Sequence, residues 1–133
     1  MLIFGHPFIE SKKFYHVQEI KAIDRTPSNS TILIDFDESH LDIIQFAIKN
    51  GVDFALEVKT ILEVIYASSL GAKYILVHDD ISIDSQKIAT EYLFDAKILV
   101  RIDKDEEIEK LAFRSIDGVI FADAIIKTVV QEG

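Results

Sequence analysis

From Thr31 onward the chain alternates short apolar runs with amphipathic stretches, at a steady interval. Runs of four or five apolar residues bounded by turn formers predict buried strands, and apolar residues recurring every three or four positions predict helices with one buried face. The stretch from Gly51 to Asp80 shows the unit best. Phe54 to Val58 is a strand, a helix runs from about Thr60 to Gly71, and Tyr74 to Val77 is the next strand, stopping at His78-Asp79-Asp80. Two strands joined through a helix run parallel. Strand starts fall near Thr31, Asp53, Lys73, Lys97 and Gly118, about 20–24 residues apart, close to the minimum for compact βα units.

The helices follow from the same pattern. Leu41, Ile44, Ala47 and Ile48 share one face behind the capping pattern Ser39-x-x-Asp42, and Gly51 stands where a left-handed residue closes the helix. Ile61, Leu62, Val64, Ile65 and Ala67 are the apolar positions of the next helix, stopped by Gly71. Ser85 is expected to cap a third, carrying Ile88, Ala89, Tyr92 and Leu93. Asp103 or Asp105 opens a fourth with Ile108, Leu111 and Ala112 inward, and Ala124 to Gln131 is expected to form a last helix.

Residues 1–30 break this rhythm. Leu2 to Phe4 and Phe14 to Val17 are apolar runs around Gly5-His6-Pro7 and the turn-like Glu10-Ser11-Lys12-Lys13, a β-hairpin-like pattern. Thr26-Pro27-Ser28-Asn29-Ser30 then punctuates the chain. The expectation is a single α/β domain over residues 1–133, with an N-terminal appendage at 1–30 and a βα-repeat body at 31–133. About five parallel strands suit either an open three-layer sheet or a half-barrel completed by a second copy, since five units do not close an eight-stranded barrel.

Composition narrows the chemistry. With no cysteine there is no disulfide, thiolate nucleophile or Cys-ligated metal site. A net charge of −9 disfavours nucleic acid and anionic membrane surfaces, whose binding rests on Lys and Arg. Met1 to Phe4 is too short for a signal segment and no run reaches the length of a membrane span, so the sequence reads most simply as cytoplasmic.

Ligands of parallel α/β folds bind beyond the carboxyl ends of the strands. Those ends carry Asp35 and Asp37, Glu57 and Lys59, His78, Asp79 and Asp80, Arg101 and Asp103, and Asp123. Asp35, Asp37 and Asp79 are candidate Mg²⁺ ligands, the only cofactor the sequence suggests. Glu57, Arg101 and Asp123 are candidate ligand-binding residues, with Lys59 or Arg101 available to neutralise a phosphate or enolate. His78, at a strand end beside carboxylates, is a candidate general base, and Lys59 a candidate Schiff-base lysine. Against these stands a plainer account: Asp commonly starts helices, so Asp37, Asp80, Asp103 and Asp123 are also natural caps. The four histidines show no metal-ligand spacing, and no glycine-rich nucleotide loop or serine-hydrolase motif is present. Asp35-x-Asp37 also resembles the acidic motifs of haloacid-dehalogenase-type phosphatases and receiver domains, but the following Glu38-Ser39 departs from the first and Asp123 in place of a lysine departs from the second.

Leu99 to Ile102 and Gly118-Val119-Ile120-Phe121-Ala122-Asp123-Ala124-Ile125-Ile126-Lys127 resemble the last βα units of phosphate-binding (β/α)₈ barrels, which often read Gly-Val-Ile-Val-Gly-Ser-Ala-Ile. The resemblance implies a phosphate held by backbone N–H groups at a Gly-Ser pair. Here Ala122 and Asp123 replace that pair, and a carboxylate at a helix start repels an anion, so the resemblance implies a phosphate site that has been lost. Two expectations of function follow. One is a non-catalytic, degenerate βα-repeat domain acting through self-association, as a homodimer, or through a protein partner, with Phe4, Phe8, Phe14 and Tyr15 available for an interface. The other is a Mg²⁺-dependent, phosphatase- or lyase-like enzyme acting on a phosphorylated or carboxylated metabolite at the acidic edge.

Overall fold

The computed structural model describes residues 1–128. Eight strands and five helices follow in order: β1 (Leu2–Phe4), β2 (Phe14–His16), α1 (Ile20–Ile23), β3 (Thr31–Asp35), α2 (Leu41–Lys49), β4 (Phe54–Glu57), α3 (Ile61–Leu70), β5 (Tyr74–Val77), α4 (Ser82–Glu91), β6 (Lys97–Arg101), α5 (Glu106–Phe113), β7 (Gly118–Ile120) and β8 (Ile125–Lys127). Every pairing is parallel, in the order β1-β7-β6-β5-β4-β3-β2-β8. The sheet curls into a half-barrel.

Strand alternation divides the core in two. Ile32 and Ile34, Phe54 and Leu56, Ile75 and Val77, Ile98 and Val100, and Val119 face outward against the helices. The residues between them, Leu33, Ala55, Leu76, Leu99 and Ile120, face inward and meet Phe4, Phe14 and Ala124. Every buried apolar residue of a helix belongs to the outer cluster. Helices therefore cover one face only, which sets aside the open three-layer alternative. The inner face is filled by its own side chains. Phe4, Phe14 and Tyr74 meet with ring centroids 5.1–5.6 Å apart, so β1 on one margin touches β2 beside the other.

Strand register steps as the sheet curls. Leu33 pairs with Ala55 and Leu76 with Leu99, but His16 pairs with Leu33, Glu57 with Leu76 and Arg101 with Ile120. Each step is two residues, so inward-facing positions stay inward across the sheet while the strands tilt.

The sequence expectation of about five strands is corrected to eight. Residues 1–30 hold no hairpin: β1 pairs with β7 and β2 with β3 and β8, all parallel, and the two strands are not neighbours in the sheet. Three-residue strands are too short to show a period, and the apolar residues around Gly5 serve different parts of one sheet. Gly5 itself has φ of 86° and lies so close to Ala124 that a Cβ would stand 2.9 Å from its nitrogen. The helix expected from Ala124 begins instead as β8, because the β-branched Ile125-Ile126 pair with β2; its expected end at 129–131 lies outside the described residues. Helix α4 starts at Ser82 rather than at a Ser85 cap, and Tyr92 and Leu93 fall beyond its end, exposed rather than packed. Among the described residues, no helix is long and apolar enough to cross a membrane.

Gly118 is the tightest point of the interior. A Cβ there would lie 2.7 Å from the Leu99 Cδ2 and 2.8 Å from the Leu2 carbonyl oxygen, and a backbone atom cannot swing aside. Gly118→Ala is expected to lower stability by about 1–3 kcal/mol, the usual range for overpacking. Urea unfolding measures it; a variant as stable as the parent would show that β1 does not hold this register.

Candidate functional site

Two residues beyond each inward apolar side chain the chain again faces inward, now at the carboxyl end of the sheet. The pairs are Phe14 and His16, Leu33 and Asp35, Ala55 and Glu57, Leu76 and His78, Leu99 and Arg101, Ile120 and Ala122. Five of the six second positions carry a polar or ionisable group. An apolar floor thus supports a polar mouth.

The centre of the mouth is Glu57. Its side chain is 15% exposed, and the Arg101 Nη1 donates to both carboxylate oxygens, at 2.8 and 2.7 Å. His78, at the end of the strand between them, has its Nε2 3.6 Å from the Glu57 Oε2 and is 61% exposed. Beside them, Asp35 accepts from the His16 Nε2 at 3.3 Å, and the His40 Nδ1 donates to the Asp35 carbonyl at 2.9 Å. That bond fixes the His40 proton on Nδ1 and leaves Nε2 as an acceptor. At the margin, the His6 Nδ1 accepts from the Phe8 backbone N–H, so its Nε2 carries the proton toward the Asp105 Oδ1 at 3.2 Å.

Two depressions open here and share His78. One, of about 430 Å³, is lined by Asp35, Asp37, His40, Glu57 and Lys59; the other, of about 310 Å³, by Arg101, Asp103, Glu107 and Ala122. Between them they hold five carboxylates against two cations, so the mouth carries a negative field.

The structure brings together Asp35, Glu57, His78 and Arg101, with Lys59 on the rim. Lys59 leads into α3, where its backbone N–H donates to Glu63 and Thr60 accepts from the Glu63 N–H, the reciprocal pattern of a capping box. Asp37 lines the first depression but caps the 3₁₀ turn Glu38–His40, accepting from the Ser39 backbone and hydroxyl. The Ser39 side-chain and backbone bonds hold its carboxyl below the usual range. Asp79 turns away to α5, accepting from the Lys110 Nζ at 2.7 Å and the Arg114 Nη1 at 2.9 Å, with the Ser82 hydroxyl at 3.1 Å. Asp123 sits in the 3₁₀ turn Ala122–Ala124, exposed, its carbonyl accepting from Lys13. The carboxylates expected to share Mg²⁺ therefore serve separate structural ends. Among the described residues, no group of three or more His, Asp or Glu side chains is placed to hold a metal ion.

His6, His16 and His40 were not singled out by metal-ligand spacing. The signal that locates His16 is the repeated apolar-x-polar step at strand ends, which places it in phase with Asp35 and Glu57. His40 follows its strand by a turn and carries no such mark. No family model matches this chain, and no curated protein matches it.

The Asp79 clamp gives a pH prediction. The hydrogen bond from Lys110, then that from Ser82 and the charges of Lys110 and Arg114, depress its carboxyl below the ordinary 3.8. A depressed acid stabilises the fold above its unfolded value, and that contribution is lost as pH falls through the folded value. Thermal stability is expected to drop as pH is lowered below about 4, and Asp79→Asn to reduce that drop while lowering stability at neutral pH. Melting curves from pH 2 to 7 test this. An acid limb unchanged by the substitution would remove the clamp from the account.

Proposed function

We propose that this domain binds a small polar organic molecule of no net negative charge at the carboxyl-end mouth of the half-barrel, as a binding module rather than a catalyst. The observation that carries the reading is the polar layer of strand-end residues in phase above a packed apolar floor, which the fold itself does not require. Helix starts account for Asp37 and Thr60, and the clamp of Lys110 and Arg114 accounts for Asp79. They leave Glu57, His78 and Arg101 without a capping duty. The pairing of Glu57 with Arg101 and of Asp35 with His16 favours a preorganised set of donors and acceptors over a free acid or base. The negative field disfavours phosphates and dicarboxylates. The resemblance to phosphate-binding barrels points to the same end of the sheet, and Ala122-Asp123 fits the loss of an anion site there.

The test is thermal unfolding with three sets of probes: polyols and diamines, then inorganic phosphate and dicarboxylates, then Mg²⁺. A member of the first set is expected to raise the melting temperature of the parent chain by several degrees, since saturation at a hundredfold above Kd stabilises by about 2.7 kcal/mol. His78→Ala, a change at a mostly exposed side chain, is expected to abolish that shift while keeping the parental melting temperature without probe. A response confined to phosphate and dicarboxylates, or one that survives in His78→Ala, would overturn the reading. A Mg²⁺-dependent shift abolished by Asp35→Asn would instead favour the metal-assisted enzyme on a phosphorylated or carboxylated metabolite.

A further inference from the structure

The outer surface carries an apolar groove on a different face from the mouth. It runs between α3 and α4, about 780 Å³ in volume, with Ile61 and Ile65 on one wall and Ile88 and Tyr92 on the other. Tyr92 is 73% exposed and the adjacent Leu93 85% exposed.

Leu93 is anomalous in a second way. The residue just past the last turn of a helix here takes a left-handed conformation four times: Gly51 at φ 66°, Gly71 at 90°, Leu93 at 53° and Ser115 at 58°. Glycine occupies this position after α2 and α3, as sterics favour. After α4 a large apolar side chain stands there, which strains the backbone and places the leucine in water. Nothing among the described residues repays either penalty. A surface that covers Tyr92 and Leu93 does.

Charge identifies that surface. The groove's charged residues are Asp84, Lys87 and Glu91, all on α4, with Lys87 and Glu91 one helical turn apart. When a second copy of α4 lies antiparallel across the first, with the two-fold axis at the level of Ala89, each Lys87 faces the Glu91 of the second copy. A C2 contact repeats every pair, so one complementary pair becomes two. The apolar residues Ile61, Ile65, Ile88 and Tyr92 line the same groove, and the exposed Leu93 follows Tyr92 just past the end of α4. We infer that this chain forms a two-fold dimer through the α3–α4 face, with reciprocal Lys87–Glu91 pairs setting the register. The inference is independent of the mouth, so either stands if the other fails.

Sedimentation equilibrium over about 1–200 μM tests it, a span chosen because affinities of this class run from nanomolar to micromolar. The parent chain is expected at twice 15.1 kDa in the upper part of that range. Lys87→Glu and Glu91→Lys are each expected to raise the dissociation constant about tenfold, by placing like charges across the axis, and the double variant to restore it to within about threefold. Leu93→Gly, which relieves the left-handed strain and so keeps the fold, is expected to weaken the dimer about tenfold while leaving the melting temperature of the dilute chain no lower. A parent that stays monomeric throughout overturns the inference. A dimer indifferent to the charge exchange and to Leu93→Gly overturns it as well.

Discussion

Register steps of two residues are the constraint on which both core and mouth depend. A strand shows its side chains to opposite faces in turn, so an even step tilts the strands without exchanging faces, whereas a one-residue slip sends each apolar contact into the wrong layer. Steps of two occur between β2 and β3, β4 and β5, and β6 and β7. They keep Phe14, Leu33, Ala55, Leu76, Leu99 and Ile120 in one interior cluster although the strands are offset. The same parity carries Asp35, Glu57 and Arg101 to the mouth. Floor and site share one cause.

The interior is narrow, and the residue sizes answer to that. Ala55 and Gly118 are small where neighbouring strands bring in Leu33 and Leu99, while the three aromatic rings of Phe4, Phe14 and Tyr74 fill the side where the margins of the sheet approach. Packing alternating large and small side chains across a curved sheet closes the space without a pore. Glu57 stands on a floor whose members are almost fully buried, and Arg101 holds it from the next strand but one.

The central part of this architecture was legible in the sequence because it rests on long-period signals. Strands near Thr31, Phe54, Tyr74, Lys97 and Gly118 lie where the apolar runs put them, and Gly71 ends α3 as its position implied. The short strands were legible only in part. β1 and β2 fall on the apolar runs Leu2–Phe4 and Phe14–Val17, but not as a hairpin, and β8 was expected as helix. Their pairing is decided by distant partners, β7 for β1 and β2 for β8, which local propensity does not encode. At the mouth, Asp35, Glu57, His78 and Arg101 were accessible as strand-end residues, but Asp79 was equally placed by that rule and turns to Lys110 and Arg114 instead. Sequence position gives the end of the strand; only the partner across space says which way a carboxylate faces.

Departures from local rules are informative when the fold elsewhere obeys them. Gly51 and Gly71 show that this chain places glycine after a helix where the backbone turns left-handed. Ser115 follows the turn with a small polar residue that water can satisfy. Leu93 alone among the four couples the unfavourable backbone with a large apolar side chain at the surface. Sequences that fold well keep local preference and global structure in agreement, and exceptions collect where another demand acts. The mouth offers the complementary case. Glu57 is a carboxylate set among strand ends, where an apolar residue would pack without needing a partner, and Arg101 donates to both its oxygens. Replacing such a pair with apolar side chains commonly stabilises a fold, so under the proposed binding function the pair kept at the open end of the sheet, beside an exposed histidine, serves recognition.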